Sequence, residues 1–380
     1  MYNQILAENS EWISKTWEKV EGKLSKTAIK SRNKLPYTTV NGIHDDKNET
    51  DPAWWTNGFW GGMMWLMYEM TKKEDYRITA EKSEELLDKA LFDYKSLHHD
   101  VGFMWHLTSV ANYRLTGSEK SMNRGLFAAA SLASRYNIDG KFIRAWNENG
   151  VEGWSIIDCL MNVPLLYWAT DEIEDDRFKK IAMAHTDMAM RDHLRDDGSV
   201  NHIAEHDLST GECVKVYGGQ GYKEGSCWSR GLAWAVYGFT LGYIHTKKAE
   251  YLDSAKKAAN YFILNCAKDG YKTVVDFTAP PEPVYYDSTA GVCTACGLLR
   301  LAEFVTEQES KMYTEAAINI LKATDENFCD YTDKEDALVL MGTERYPIEN
   351  MKGVHIPIIY GDFFFIEALS ILKGSKFLIW

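Results

Sequence analysis

The stretch GFWGGMMWLMYEMTKKEDYRITAEKSEELLDKALF, residues 58–92, holds two kinds of helix joined by a charged turn. Its first part is apolar around much of the helical circumference and carries Gly61 and Gly62, which suits a helix buried on all sides and packed closely. KKEDY makes a short charged turn. The remainder keeps its apolar residues on one face and its charges on the other, as a half-exposed helix does. A buried helix needs more cover than one amphipathic partner provides. Further copies of the same unit are therefore expected.

The chain supplies them. Segments of the buried type recur at FMWHLTSVANYRL (103–115), SIIDCLMNVPLLYWA (155–169), SCWSRGLAWAVYGFTLGYI (226–244), STAGVCTACGLLRLAEFV (288–305) and GDFFFIEALSIL (361–372). TGSEKSM, DEIEDDRF, KKAEY and EQESKMY follow four of these as charged turns, each leading into an amphipathic segment such as LDSAKKAANYFILNC (252–266). The amphipathic N-terminus, MYNQILAENSEWISKTWEKVEGKL, is the expected partner of the sixth. Six inner helices with six outer helices predict an all-α fold, an (α/α)6 barrel. No Pro/Gly/Ser-rich linker divides the chain, so residues 1–380 are expected to form a single domain.

Composition narrows the function. The formal charge of −13, with no dense Lys/Arg cluster, argues against nucleic acid. No uncharged run reaches membrane-spanning length, and the N-terminus lacks the apolar core of a signal peptide. The seven cysteines are scattered and odd in number, and the CxxC of Cys293 and Cys296 sits inside an apolar helical run without a second pair or nearby histidine. A cytoplasmic protein with reduced thiols, and with no metal or cofactor, is expected. Oligomeric state has no signature in the sequence.

The links from each outer helix to the next inner helix are long and aromatic, whereas the inner-to-outer turns are short. The long links should gather on one face of the barrel, where binding and catalysis reside. Asp158 lies at the start of the third inner segment and Asp100, in HHDVGF, at the start of the second. Successive inner helices are neighbours, so the two carboxylates can share one pocket as a general acid–base pair. The apolar neighbours Ile156, Ile157, Leu160 and Met161 oppose a charge on Asp158, and a helix start favours one. An Asp N-cap is an equally natural reading of either position. Tryptophans at the link-to-helix junctions, among them Trp55, Trp146 and Trp234, suit the apolar faces of sugars. Arg230 with Gln220 can hold a carboxylate, and His99 and His202 can orient substrate or water; a structural role is open for each. Nucleotide-binding and serine-hydrolase motifs do not occur.

From about residue 50 onward the chain resembles the unsaturated glucuronyl hydrolases, glycoside hydrolase family 88. The resemblance rests on WWTNGFWGGMMWLMYE, LHHDVGFMW, IRAW, SIIDCLMNVPLL, GGQGYKEGSCWSRGLAW, DFTAPPEPVYYDSTA and YGDFFFIEAL, in that order. It implies the same (α/α)6 barrel. It also implies removal of the 4,5-unsaturated uronic acid that lyases leave at the non-reducing end of glycosaminoglycan fragments, by hydration of the vinyl ether double bond. Asp158 matches the proton donor and Asp100 the second carboxylate. The resemblance carries substrate binding onto Trp55, His99, Trp146, His202, Gln220, Arg230 and Trp234. Two departures stand out. Asn57 occupies a position where some relatives have Asp. The Ser-x-x-Ser-x-Lys pattern of members favouring sulfated substrates is PIENMK here, retaining Lys352 but with Pro347 and Asn350 at the serine positions. The rival readings are the related unsaturated rhamnogalacturonyl hydrolases of pectin breakdown, a sugar epimerase or isomerase using histidine bases, and a non-enzymatic helical scaffold.

Overall fold

The computed structural model of the chain describes residues 2–348 and 350–380. The inner ring consists of α2 (Asn57–Thr71), α4 (residues 101–116), α6 (Pro164–Ile173), α8 (Ser229–Thr246), α10 (Ser288–Leu301) and α12 (Ile359–Leu372). The outer ring consists of α1 (Tyr2–Lys30), α3 (Glu74–Leu91), α5 (Glu119–Ser134), α7 (Asp176–Asp192), α9 (Ala249–Cys266) and α11 (Glu307–Phe328). Helix α12 packs against both α10 and α2, which closes the inner ring, and α1 packs against α11, α12 and α3 as the sixth outer helix. This is the expected (α/α)6 barrel.

Burial follows the two sequence patterns. Every residue of α10 and α12 is buried, as an all-round apolar segment requires. Outer helices bury one face only; in α3 that face is Tyr76, Thr79, Ala80, Ser83, Glu84, Leu87 and Ala90. The charged turns are tight. Lys72, Gly117, Glu174 and Lys247 each end an inner helix in the left-handed conformation, with φ of 57°, 78°, 53° and 57°. Ser118, Asp175 and Thr306 then cap the following outer helices through their side chains.

The third inner segment departs from expectation. It is not one helix beginning at residue 155. Trp154–Ile156 is a strand, Ile157–Met161 a single 3-10 turn, and the α-helix starts only at Pro164. Proline lacks the N–H that would bond the carbonyl of Leu160, and its ring crowds that carbonyl, so an α-helix cannot run through it. Strands also appear within the long links. β1 (Trp154–Ile156), β2 (Ile203–His206) and β3 (Cys213–Tyr217) form an antiparallel three-stranded sheet in the order β1-β2-β3. Helix α4 contains a π turn at His106–Val110, just below its mouth-side end.

Candidate active site

Eight of the ten candidate residues line one cleft of about 580 Å³, a volume suited to a small oligosaccharide: Trp55, His99, Asp100, Trp146, Asp158, His202, Gln220 and Arg230. All come from outer-to-inner links or from the first turn of an inner helix, as the loop lengths imply.

Strand pairing places Asp158. Ile156 pairs with Ile203, and the ladder continues one step as the Ile157 N–H donates to the His202 carbonyl at 3.1 Å. Asp158 and His202 therefore emerge side by side, with His202 Nε2 3.6 Å from Asp158 Oδ1. Both atoms are buried and neither has a hydrogen-bond partner among the described residues. The other ring nitrogen of His202 is committed: Nδ1 accepts the backbone N–H of Gln220 at 3.0 Å. An acceptor nitrogen carries no proton, so the ring proton sits on Nε2, aimed at Asp158. Gly219 allows this approach, since a Cβ there would lie 1.9 Å from His202 Nδ1, and its φ is +58°. The His202 ring also rests on Trp228, centroid to centroid 4.4 Å.

Asp100 is more enclosed, at 7% exposure. Its Oδ1 accepts from Asn162 Nδ2 at 2.9 Å, and its Oδ2 lies 3.3 Å from His98 Nδ1 and 3.4 Å from His99 Nε2. Burial, and next the charge of Asp158, hold the Asp100 carboxyl well above the usual carboxylate range, while Asn162 and Arg135 pull it down. Burial pushes His98 down to about 4 and His99 well below the usual imidazole range, so both rings are neutral at neutral pH. The His99 N–H donates to the Ala145 carbonyl and the Ala145 N–H to the Trp154 carbonyl, tying HHD, IRAW and β1 into one frame.

Arg230 does not reach into the cleft as a free hand. Its Nη1 bonds the Asp287 carboxylate and the Thr343 carbonyl (2.7 Å), and its Nη2 bonds the Glu344 carbonyl (2.5 Å). The guanidinium also lies over Trp228, 4.5 Å from the ring centroid. Three of its five N–H groups are thus spent, and Nε–H with one Nη2–H remains among the described contacts. Gln220 Nε2 donates to the same Glu344 carbonyl at 2.5 Å. Together these two side chains clamp the segment before α12, whose Glu344 carboxylate accepts the Tyr37 hydroxyl.

Two candidates fall outside the cleft lining. Trp234 is fully buried beneath the floor, with ring centroids 5.3 Å from Phe103 and 5.7 Å from Phe364. It faces the barrel core because it is four residues on from Arg230, one turn deeper along α8. Lys352 is exposed on a turn and does not line the cleft; its backbone N–H bonds Asn350 Oδ1 at 2.9 Å. Trp54, another of the junction tryptophans, lines the cleft too, and Tyr37, His98, Glu148, Glu344, Arg345 and Tyr360 line it without having been singled out by the sequence. His98 stands beside His99 in the motif and was the most accessible of these to inspection. Asn57 has a local explanation: its Nδ2 donates to the Asp51 and Pro52 carbonyls at 3.1 and 3.0 Å, a role a carboxylate cannot fill.

Ligand atoms of His98, His99 and Asp100 also lie within 4.8 Å of one another, as do those of Asp192, His206 and Cys213 at the back of the sheet. The first grouping is consecutive in the chain, whereas the second is assembled by the pairing of His206 with Cys213 and by Asp192 at the end of α7. In the first, both imidazoles face the same carboxylate oxygen that burial favours protonating.

Comparison with known proteins agrees with this geometry. The family described as Glycosyl Hydrolase Family 88 matches residues 25–275. The chain is 34% identical over 351 residues to the unsaturated glucuronyl hydrolase of Bacillus sp. strain GL1, covering 89% of this chain and 92% of that protein. It is 33% identical over 325 residues to the unsaturated chondroitin disaccharide hydrolase of Streptococcus pyogenes serotype M1, covering 84% and 81%. The crystal structure of the Bacillus sp. GL1 enzyme superposes with a TM-score of 0.87 at 32% identity, over 94% of this chain and 97% of that one. The chain is a glycoside hydrolase and belongs to glycosyl hydrolase family 88.

Proposed function

We propose that this protein removes the 4,5-unsaturated uronic acid from the non-reducing end of lyase-generated glycosaminoglycan oligosaccharides by hydrating its C4=C5 double bond. The observation that carries the reading is a pair of unlike carboxylates at one cleft. Asp100 is enclosed and hydrogen-bonded, and Asp158 turns an unpartnered oxygen toward His202 at 15% side-chain exposure.

Asp158 gives its proton to C4, and the ring oxygen shares the positive charge left at C5. Water adds its oxygen to C5 and returns a proton to Asp158, so the acid is regenerated. The hemiketal formed at C5 opens, and the glycosidic bond is lost in the rearrangement. The net change is addition of one water. Asp100 serves as the second carboxylate. The His202 Nε2–H orients the water or the Asp158 carboxylate. Trp55 and Trp146 serve as walls for the sugar rings, and the remaining donors of Arg230, with the Gln220 carboxamide, meet the polar edge of the unsaturated residue.

Lys352 lies outside the cleft lining, and Pro347 and Asn350 replace hydroxyl side chains. Both facts favour non-sulfated or differently sulfated fragments. The chain acts as a single catalytic domain in this reading. Its seven unpaired thiols support a cytoplasmic setting. Among the described residues no helix is long and apolar enough to cross a membrane.

The conjugated double bond of the substrate absorbs in the ultraviolet and the hydrated product does not. Unsaturated disaccharides from hyaluronan, chondroitin, heparin and rhamnogalacturonan, offered to wild type and Asp158→Asn, test the reading. Decay with a glycosaminoglycan fragment that is lost in the folded variant supports it. Decay with the pectin fragment alone moves the chain to the rhamnogalacturonyl reading.

A further inference from the structure

Asn162 is fully buried and follows directly on the 3-10 turn that presents Asp158. Its Oδ1 accepts the backbone N–H of Phe103 at 2.7 Å. A backbone amide can only donate, so this bond fixes which way the carboxamide points. The Nδ2 group must then face the other way, where it donates to Asp100 Oδ1 at 2.9 Å and lies 3.4 Å from the Asp158 carbonyl. One side chain thus bridges the two carboxylate-bearing segments. The approach is close: a Cβ on Gly102 would lie 2.6 Å from the Asn162 Cα and 2.7 Å from its Oδ1. Only glycine lets α4 press its first turn onto Asn162.

The bridge has a consequence for the proton that hydration requires. Two neighbouring carboxylates out of water hold one proton between them. On burial alone that proton belongs on Asp100, which lines the same cleft but is the more enclosed member. An N–H that can only donate opposes this, because it bonds a carboxylate oxygen and repels a carboxyl O–H. We propose that Asn162 is a positioning residue that weakens the hold of Asp100 on the shared proton and so makes that proton more available to Asp158. The proposal rests on the hydration reading above.

Other charged or titratable groups around the pair do not supply this bias equally well. His98 and His99 face Asp100 Oδ2 as neutral rings at 3.3 and 3.4 Å. Arg135, after α5, spends its donors on the carbonyls of Leu97, Arg144 and Ala145 and on the Asn147 side chain. The Cys159 thiol is held neutral by burial. His202 and Arg230 act from the Asp158 side, and Arg230 is already paired with Asp287. Asn162 makes the one short hydrogen bond to Asp100 among the described residues.

A hydrogen bond to a charged group contributes enough that its loss redistributes the proton roughly ten-fold or more. Asn162→Ala is therefore expected to lower kcat about ten-fold, to move the acid limb of the kcat profile to higher pH, and to leave KM nearly unchanged. In an Asp100→Asn background the same substitution is expected to cost little more, because the group it acts through is gone. An unshifted limb, or full additivity in that cycle, overturns the proposal. Should Asn162→Ala fail to fold, Asn162→Ser labelled with 13C at aspartate carboxyls decides, with signals assigned through Asp100→Asn and Asp158→Asn. The Asp100 carboxyl is expected to titrate at higher pH in that variant than in wild type; an unchanged midpoint overturns the inference. Wild-type ultraviolet decay serves as the control. Without decay the hydration reading itself fails; with decay and an unmoved profile, only the role of Asn162 fails.

Discussion

His202 Nε2 faces Asp158 Oδ1 across 3.6 Å while His202 Nδ1 is locked by the Gln220 N–H at 3.0 Å. The gap is slightly long for a direct hydrogen bond, and neither atom has another partner among the described residues. His202→Ala is expected to lower kcat by roughly 100-fold, within the range for loss of an acid–base partner, with a smaller change in KM. Gly219→Ala is expected to do part of the same damage by displacing the ring. Steady-state kinetics on both variants check this; a change confined to KM would make His202 a binding residue only.

Asp100 titrates above the ordinary aspartate because of burial first and the Asp158 charge second. In Asp158→Asn the second cause disappears, so the Asp100 carboxyl is expected to titrate at lower pH than in wild type. Carboxyl-labelled NMR reads the difference directly. An unchanged midpoint would mean that the two carboxylates do not sense each other.

The same shift has a stability sign. Folding raises the Asp100 value, so this group favours the folded state fully at pH below its unfolded value, and the contribution is lost as pH rises through the folded value. Asp100→Asn, which never charges, is expected to melt above wild type at neutral and alkaline pH, with the gap closing toward acid pH. Thermal melts across pH check it. A gap that widens on acidification contradicts the assignment.

Arg230 and Asp287 are both buried and bonded to each other. Arg230→Met leaves the Asp287 charge unpaired and is expected to cost about 3–5 kcal/mol of stability. It also frees the Thr343 carbonyl and leaves the Glu344 carbonyl held by Gln220 alone, so the segment before α12 loosens and KM rises. Adding Asp287→Asn to the same chain is expected to recover part of the stability. Denaturant titration of the single and double variants measures it.

Two tryptophans from the same sequence argument part company here. Trp234→Ala is expected to cost about 3–5 kcal/mol by opening a core cavity. Trp146 is half-buried at the cleft wall, 6.0 Å from Trp154, and Trp146→Ala is expected to raise KM roughly 2- to 10-fold with little loss of stability. Equal melting temperatures for the two variants would undo that distinction.

What the sequence made legible was local and periodic. Segments apolar on every side, each followed by a charged turn and an amphipathic segment, specify inner and outer helices one hairpin at a time. Asp100 and Asp158 were found because they open such segments. The turn beneath Asp158 was not foreseeable in the same way, since Pro164 and pairing with Ile203, 47 residues from Ile156, jointly set it. Trp234 and Trp55 look alike in sequence, but Trp55 lies in the turn before α2 at the cleft, whereas Trp234 lies within α8 beneath it. Tyr37 and Glu344 meet from opposite ends of the chain, and Asn162 reveals its role only when Phe103 and Asp100 are seen around it. Lys352 keeps its place in a motif but stands exposed on a turn outside the cleft lining.

The central claim is that the acid delivers a proton to C4 from one side of the ring. Turnover of an unsaturated disaccharide in D2O, followed by proton NMR at the earliest times, tests it most directly. Hydration within the cleft places deuterium on a single face of C4. Cleavage at the anomeric carbon would release the unsaturated sugar to rearrange in free solution, and deuterium spread over both faces of C4 would contradict the account.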